Sequence, residues 1–293
     1  MSTDFRGTAG GDGILYADNI IIGGSSLPVK SGVAFFVDGT NGSDNNDGSS
    51  WEIAKATIAA AITAASAGDT IYIAAGSYDE SVTIAKAGLT LVGAANRGSV
   101  GIAPSGDNDT AMTINANGVT LINVGCEGDG TGGGLHVEGD VARFRAFGCK
   151  LEGGAFAAKL ESTADGAVAD TRFDDCEFAW TTTALHFVVS GAGDPVTQTY
   201  VRKCLFHNYT TAGINVDTVH TADLWVEDCF FAAQEDGTEP TDYVLASVAS
   251  TTGFFSGNRF STATNEADVL TIAAGVIWAA NATEAGWSTA RPS

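Results

Sequence analysis

The sequence predicts an all-β protein that folds as a single-stranded right-handed parallel β-helix, a solenoid, with a short capping α-helix near its N-terminus. The first observation is a repeat: five cysteines, at positions 126, 149, 176, 204 and 229, follow one another at intervals of 23, 27, 28 and 25 residues. A repeat of about 20 to 50 residues indicates coils that stack on one another. The second is a shared unit, apolar–x–x–Cys–x–apolar, which alternates like two short strands meeting at a corner. The third is composition, because 37 glycines among 293 residues suit a chain with many turns.

The repeat predicts which side chains stack inside the coils. Beyond the cysteines it continues at Asn258 and Asn281, 29 and 23 residues further along. Parallel coils place each inward residue on its counterpart one coil away, at a spacing of ~4.8 Å. We therefore predict an internal ladder that consists of Cys126, Cys149, Cys176, Cys204, Cys229, Asn258 and Asn281. Two residues after the ladder positions, we predict a core stack of Leu151, Phe178, Phe206, Phe231 and Phe260.

The residue types at the ladder favour a structural role. A thiol is small and apolar enough for a tight corner, and asparagine can hydrogen-bond its neighbours along a stack. The cysteines form no CxxC pair and have no histidine at metal-ligand spacing, so we expect free, buried thiols in a reduced compartment.

The chain divides into three predicted regions. Residues 1–33 are a glycine-rich N-terminal arm outside the repeat, residues 34–69 hold the lead-in and the capping helix, and residues 70–293 form the β-helix. Ile58 and Ile62, with Ala61 and Ala65, form one apolar stripe of a helix, and Gly68 is its expected stop. A helix at this place covers the core that the end of a solenoid would expose.

The stretch from 35 to 84, "FFVDGTNGSDNNDGSSWEIAKATIAAAITAASAGDTIYIAAGSYDESVTI", resembles the N-terminal cap of pectin-lyase-like β-helix proteins. In that family a "TIxxAIxxAxxGDTIYIxxGxYxE" pattern leads into the first coil. The opening "VDGTNGSD" with the "DG" and "W" that follow is similar to bacteriophage virion proteins and bacterial surface proteins of this fold. The resemblance implies the fold and says little about activity.

Charge and hydropathy exclude several classes of partner. The chain has 35 acidic and 14 basic residues, a net charge of −21. Such a chain repels phosphate, so we expect no nucleic-acid binding and no contact with anionic membranes. The sequence contains no apolar run long enough to predict a membrane-spanning helix, and the N-terminus lacks the basic and apolar regions of a secretory signal.

The search for catalytic residues leaves one pair of carboxylates, Asp174 and Asp175. Polygalacturonase-like members of the family carry NTD, DD, GHG and RIK signatures, and here only the "DD" at 174–175 is found. Pectate lyases use several acids for calcium and a basic residue as proton acceptor, and the arginines of this chain cannot be placed against an acid cluster. We therefore expect a protein that is not an enzyme and needs no cofactor.

We also expect no metal site. The segment "DGTNGSDNNDG" at 38–48 fails the EF-hand spacing, and turn chemistry explains its residues, although calcium stays an alternative there. His136 and His186 each follow a leucine at the start of a coil strand and could be stacked neighbours, for which packing is the simpler interpretation.

Together these features favour a non-enzymatic bacteriophage virion protein, made in the host cytoplasm, that decorates or cements the head or belongs to the tail. Residues 1–33 would dock into other capsid or tail proteins, with Ile20, Ile21 and Ile22 as the contact, and the β-helix would project. We expect a homo-oligomer, with a trimer favoured, and a host glycan is a further candidate ligand. The alternatives are a tailspike-type enzyme that binds or degrades polysaccharide, and a bacterial surface adhesin.

Overall fold

A computed structural model describes residues 19–22, 25–28, 32–164, 166–191, 194–216, 221–232, 242–246, 251–261, 270–272, 274–283 and 286–288. The protein is a right-handed parallel β-helix with very little helix, as predicted.

The helical segments are a 3-10 turn at Trp51–Ile53 and the helix α1 at Ile58–Ala64. Up to the middle of the chain, the strands are β1 (Asn19–Ile22), β2 (Ser25–Pro28), β3 (Ala34–Val37), β4 (Thr70–Ile73), β5 (Gly76–Tyr78), β6 (Val82–Ile84), β7 (Thr90–Gly93), β8 (Val100–Ile102), β9 (Met112–Ile114), β10 (Thr120–Ile122), β11 (Gly125–Gly128), β12 (Gly133–Glu138), β13 (Val141–Ala142), β14 (Arg145–Phe147) and β15 (Lys150–Gly153). The later strands are β16 (Phe156–Ser162), β17 (Val168–Asp174), β18 (Glu177–Val189), β19 (Val196–Arg202), β20 (Leu205–Val216), β21 (Thr221–Glu227), β22 (Phe230–Phe231), β23 (Asp242–Ala246), β24 (Gly253–Ser256), β25 (Arg259–Phe260), β26 (Leu270–Ile272), β27 (Val276–Ala279), β28 (Asn281–Thr283) and β29 (Gly286–Ser288).

Two long sheets run along the solenoid. The first sheet has the order β3-β4-β7-β10-β14-β17-β19-β21-β24-β27, and its neighbours pair in parallel. The second sheet has two branches, β5-β8-β11-β15 and β6-β9-β12-β16, which meet in the long strands β18 and β20. Each coil therefore crosses the first sheet, turns a corner and continues into the second.

The core forms because every second residue of a strand points inward and meets its counterpart on the next coil. In the first sheet one inward row is apolar and buried from β4 to β27: Ile71, Leu91, Leu121, Ala146, Phe173, Val201, Val226, Phe255 and Trp278. In the second sheet the phenylalanine rings lie one above another, with centroids 4.6 Å apart for Phe178–Phe206, 4.4 Å for Phe206–Phe231 and 4.8 Å for Phe231–Phe260.

The place of Cys126 differs from the prediction. Cys126 pairs with Leu151 on one side and with Ile102 on the other, so it belongs to the column of the phenylalanine stack. The partner of Cys149 in the preceding coil is instead Val124, because Lys150 pairs with Gly125. The cause is the corner, where a residue with positive φ stands directly before the ladder position: Asn123, Gly148, Asp175, Lys203, Asp228, Gly257 and Ala280.

The helix α1 closes the N-terminal end of the core, as predicted, and buries Ile58, Ala61 and Ile62. Side chains from the first coil satisfy both of its ends. The Glu80 carboxylate accepts from the backbone N–H groups of Ile58 (2.7 Å) and Ala59 (2.9 Å), and Lys86 Nζ donates to the carbonyls of residues 62, 63 and 65. The helix ends at Ala64, four residues before Gly68, whose φ of +90° belongs to the following turn.

Part of the N-terminal arm has a strand structure. β1 and β2 pair in antiparallel orientation, with Ile20 in register with Leu27 and Ile22 in register with Ser25. Within the described residues this pair is a sheet of its own. The predicted contact residues Ile20, Ile21 and Ile22 lie in β1, and their side chains lie outside the described part of the structure.

Candidate functional site

The outer face of the first sheet carries two adjacent rows of outward side chains. Because the strands pair in register, one row runs Thr120, Arg145, Arg172, Tyr200, Trp225, Phe254 and Ile277. The neighbouring row, two residues further along each strand, includes Asp174, Arg202, Glu227 and Ser256. We call the six residues Arg172, Asp174, Tyr200, Arg202, Trp225 and Glu227 the charged-aromatic face.

Aromatic side chains occupy neighbouring positions in the first of these rows. The rings of Tyr200 and Trp225 are stacked, with centroids 4.4 Å apart and an angle of 28° between their planes. The Arg172 guanidinium lies 5.3 Å from the centroid of the Tyr200 ring. In the direction of the C-terminus the row continues with Phe254, which is partly exposed, and Ile277, which is 63% exposed. A solvated β-strand face usually carries polar side chains, so a row of this kind indicates a binding surface.

Two carboxylates share one arginine in the second row. Arg202 Nε lies 3.9 Å from Asp174 Oδ1 and 3.7 Å from Glu227 Oε2. The distance between these two carboxylate oxygens therefore cannot exceed the sum of those two distances. Arg172 Nε approaches the other oxygen of Asp174 at 3.6 Å. Burial raises the pKa of Asp174, and the positive charges of Arg172 and Arg202 oppose that shift. A half-buried carboxyl with a raised pKa is suited to donate a proton.

The structure separates the two aspartates that the sequence pairs. Asp174 is on the outer face of β17, whereas Asp175 stands at the corner with a φ of 53° and 71% of its side chain exposed. Asp175 binds Arg97 of an earlier coil, at 2.8 Å between Nη2 and Oδ2. Asp174 and Asp175 thus bind different arginines. The carboxylate that shares Arg202 with Asp174 is Glu227.

Sequence reasoning missed Tyr200, Arg202, Trp225 and Glu227 as neighbours of Asp174. The signal was present, because the two rows lie four and two residues before each ladder position. The prediction aligned only the inward residue three positions before each ladder residue. It did not align the outward residues on either side of that position.

The ladder residues make contacts that define a structural role. The Sγ atoms of Cys176, Cys204 and Cys229 lie 3.5–3.6 Å from the carbonyl oxygens of Ala146, Phe173 and Val201, each on the preceding coil. All five cysteines are free and buried. Burial raises the pKa of the Cys126, Cys149, Cys176 and Cys204 thiols well above the ordinary value. Such thiols are poor nucleophiles and poor metal ligands.

A second group of ionisable side chains lies on the outer surface of the second sheet. On β12, His136 is in register with Lys159 of β16, the strand of the next coil, and Glu138 is in register with Glu161. His186 occupies the same row as His136, but Lys159 stands between them. Another imidazole on this sheet, His207, approaches Glu177 at 3.0 Å.

The loop at 38–48 uses its carboxylates for turns. Asp38 accepts from the side-chain amide of Asn41 and from the backbone N–H groups of Asn41 and Thr40, and these hydrogen bonds lower its pKa. Asp44 accepts from residues 56 and 57 in the lead to α1. The described residues therefore assign the acids of this loop to local structure.

The helices of the described ranges are all too short to span a bilayer.

Comparisons with known proteins identify the fold. No family model and no curated protein sequence matches the chain. Among solved structures, a pectin methylesterase from Aspergillus niger aligns with a TM-score of 0.59 and 17% identity over 89% of this chain and 88% of that one. Pectate lyase Pel9A aligns with a TM-score of 0.65 and 11% identity over 85% and 68%. The pectin methylesterase PemA from Erwinia chrysanthemi aligns with a TM-score of 0.54 and 13% identity over 88% and 90%.

These structures confirm the pectin-lyase-like fold that the N-terminal segment suggests, and at such low identity they establish nothing finer. They give no support to a virion origin. The expectation that the chain is not an enzyme is corrected, because the similar structures named above are pectin methylesterases and a pectate lyase, which are enzymes. That expectation depended on missing polygalacturonase signatures, and the same fold is used by enzymes of other kinds.

Proposed function

We propose that the chain binds a polysaccharide along the outer face of its first sheet and cleaves it hydrolytically at the charged-aromatic face. The observation that carries the proposal is the stacked pair Tyr200–Trp225 directly beside Asp174, Arg202 and Glu227. Rings that bind the flat faces of sugars stand next to carboxylates that can transfer protons.

A polysaccharide suits this surface because both are periodic. Neighbouring coils present equivalent side chains every ~4.8 Å, a distance close to the length of one sugar unit. The row from Arg172 through Trp225 to Ile277 therefore offers a contact per coil to a chain that lies along the solenoid axis. Aromatic side chains suit such binding since they offer large rigid surfaces.

The chemistry follows from the environment of the two carboxylates. Hydrolysis of a glycosidic bond needs one carboxyl group that donates a proton and a second, ionised one nearby. Asp174 is the half-buried group with the raised pKa and takes the first role. Glu227 binds the same Arg202 and takes the second. The arginine holds both side chains in place and is available to a charged group of the substrate.

Uronate-containing glycans are the substrate class to test first. Arg172 and Arg202 are partly exposed on the face, and a guanidinium recognises a carboxylate with two parallel hydrogen bonds. The names of the similar structures, pectin methylesterase and pectate lyase, point to the same class. The net charge of −21 opposes a polyanion over long distances, so binding should strengthen when salt screens that repulsion.

We expect Trp225→Ala to weaken polysaccharide binding by ~10-fold or more, because truncation of a central aromatic contact typically has that effect. The measurement is affinity electrophoresis or calorimetry with methyl-esterified pectin and polygalacturonate. Trp180→Ala is the matched control, since Trp180 is 54% exposed but lies on β18 of the second sheet. Equal losses in both variants, or none in Trp225→Ala, would contradict the assignment of this face.

We expect Asp174→Asn to lower the catalytic rate by ~100-fold or more while binding is retained, since general acid catalysis contributes that much. Methanol, reducing ends and unsaturated products are measured from the same two polysaccharides. Asp175→Asn is the control, because that neighbouring carboxylate binds Arg97 at the corner. Hydrolysis of the glycosidic bond releases reducing ends without unsaturated products, whereas methanol reports ester hydrolysis. Absence of such reducing ends with the unaltered protein, or an active Asp174→Asn, would reject the proposed chemistry.

The remaining expectations from the sequence stay predictions. These are attachment to other virion proteins through residues 1–33, a homotrimer, and a place on the bacteriophage particle. A polysaccharide-degrading tailspike-type protein is compatible with both the site and these predictions.

A further inference from the structure

A half-buried group of metal-ligating side chains lies on the second sheet, which is a different sheet from the one that carries the charged-aromatic face. In β12, His136 and Glu138 are separated by one residue and therefore point to the same side of the strand. In β16, Glu161 stands in register with Glu138. Two neighbouring coils thus bring one imidazole and two carboxylates together.

The distances between these groups are short. His136 Nε2 lies 2.9 Å from Glu161 Oε2, and His136 Nδ1 lies 3.5 Å from Glu138 Oε2. One donor atom from each of the three residues can be chosen so that all lie within 4.8 Å of one another. Among the residues that the structure describes, this is the group of three His, Cys, Asp or Glu side chains that meets that condition.

The surroundings hold the three side chains in place. The exposed fraction is 13% for His136, 17% for Glu161 and 35% for Glu138. Asn115 Nδ2 donates to Glu138 Oε1 at 3.4 Å, and the Ser190 side chain hydrogen-bonds Glu161. The Phe156 ring packs edge-on against His136, with centroids 6.0 Å apart. Hydrogen bonds to the ligands and an apolar wall are features that orient ligands in metal sites.

We propose that His136, Glu138 and Glu161 bind a divalent first-row transition metal ion, with Zn²⁺ as the first ion to test. One imidazole nitrogen and two carboxylate oxygens suit Zn²⁺, Co²⁺ or Mn²⁺, whereas Ca²⁺ and Mg²⁺ prefer oxygen ligands throughout. Three protein ligands leave a fourth position for water, as in zinc sites that are not purely structural. This inference does not depend on the proposed glycan-cleaving function.

Lys159 gives the proposal a distinctive test. Its Nζ lies 2.8 Å from Glu161 Oε2, the same oxygen that approaches His136. It also lies 5.0 Å from the centroid of the Phe156 ring, which offers the ammonium group another favourable contact. The lysine therefore competes with a metal ion for Glu161. If the group were an ion-pair network alone, removal of the lysine would create no metal affinity.

The experiment titrates chelator-treated full-length protein with ZnCl₂ by calorimetry and with CoCl₂ by visible absorption, which reports ligands bound directly to cobalt. We expect about one ion per chain for this site. His136→Ala and Glu161→Gln should each weaken binding by ~10-fold or more. Lys159→Gln should strengthen it by roughly 2- to 5-fold, the effect of losing a partly exposed ion pair.

His207→Ala is the matched control, because that histidine also contacts a glutamate, Glu177, on the same sheet and shares the acidic background. The metal affinity of the His207→Ala variant should equal that of the unaltered protein. The proposal is overturned if the unaltered protein binds neither Zn²⁺ nor Co²⁺. It is also overturned if His136→Ala and His207→Ala bind equally well, since the ions would then occupy the acidic surface at large.

Discussion

Replacing Phe206 with alanine should lower the free energy of unfolding by ~3–5 kcal/mol, the usual range for a buried phenylalanine. The Phe206 ring is fully buried and stacks on two others, at 4.6 Å from Phe178 with an interplanar angle of 2° and at 4.4 Å from Phe231 with an angle of 8°. The stack fixes all three rings, so the neighbours cannot move far to fill the cavity, and the loss should lie toward the upper end of the range.

Equilibrium unfolding in guanidinium chloride measures this effect. Phe230→Ala is the control, because Phe230 lies beside the stack on the next coil but is 40% exposed, and its loss should be ~1 kcal/mol or less. A solenoid unfolds in neighbouring units, so the Phe206→Ala variant should lose the coils around β18, β20 and β22 first. A loss below ~1 kcal/mol for Phe206→Ala would mean that the stack contributes little to stability.

The interior of this protein could be predicted because the coil repeats it. Each inward position imposes the same requirement on successive coils, so Phe173, Val201 and Val226 recur at one place in the unit. The cap could be predicted for a similar reason, since the exposed end of the core needs an apolar stripe such as Ile58 and Ile62.

The error at Cys126 shows which signal fixes the register. Residue type alone placed this cysteine on the ladder, but its φ-positive corner residue, Asn123, stands three positions before it instead of one. In the following coils Gly148 and Asp175 directly precede Cys149 and Cys176. A corner that requires a left-handed backbone conformation is set by local sterics, so it marks the turn better than the side chain that fills the space behind it.

The two candidate sites were harder to predict, because outward residues do not repeat in identity. Asp174, Arg202 and Glu227 occupy one row, yet no single residue type recurs there. Glu138 and Glu161 meet only because β12 and β16 pair with an offset of 23 residues, and this offset follows from the register and not from composition. A site of this kind becomes visible once the inward ladder is aligned and the outward positions are projected from it.

Replacing Asn258 with leucine should destabilise the protein by ~3 kcal/mol or more, although the side chains are similar in volume. Asn258 is fully buried, accepts from the backbone N–H of Cys229 at 2.9 Å, and donates through Nδ2 to the carbonyl of Val226 at 2.9 Å. Leucine would leave the backbone N–H of Cys229 buried without a partner, which costs ~1–3 kcal/mol, and would remove the hydrogen bonds from Nδ2 to Val226 and Asn281, each worth ~1 kcal/mol.

Asn258→Cys is the informative comparison, because the ladder itself contains the equivalent arrangement. The Cys229 thiol donates to the carbonyl of Val201, which corresponds to Val226 one coil earlier. The sulfur of Cys204 accepts the backbone N–H of Cys176, as the Asn258 oxygen accepts that of Cys229. A cysteine at 258 can therefore make both contacts with weaker bonds, so its loss should be about half that of leucine or less. Thermal and denaturant unfolding of the two variants decides the matter. If Asn258→Leu is as stable as Asn258→Cys, the corner needs only a side chain of the right size. If leucine is clearly worse, the change from cysteine to asparagine along the ladder from Cys149 onward reflects one requirement, a small side chain that both donates and accepts.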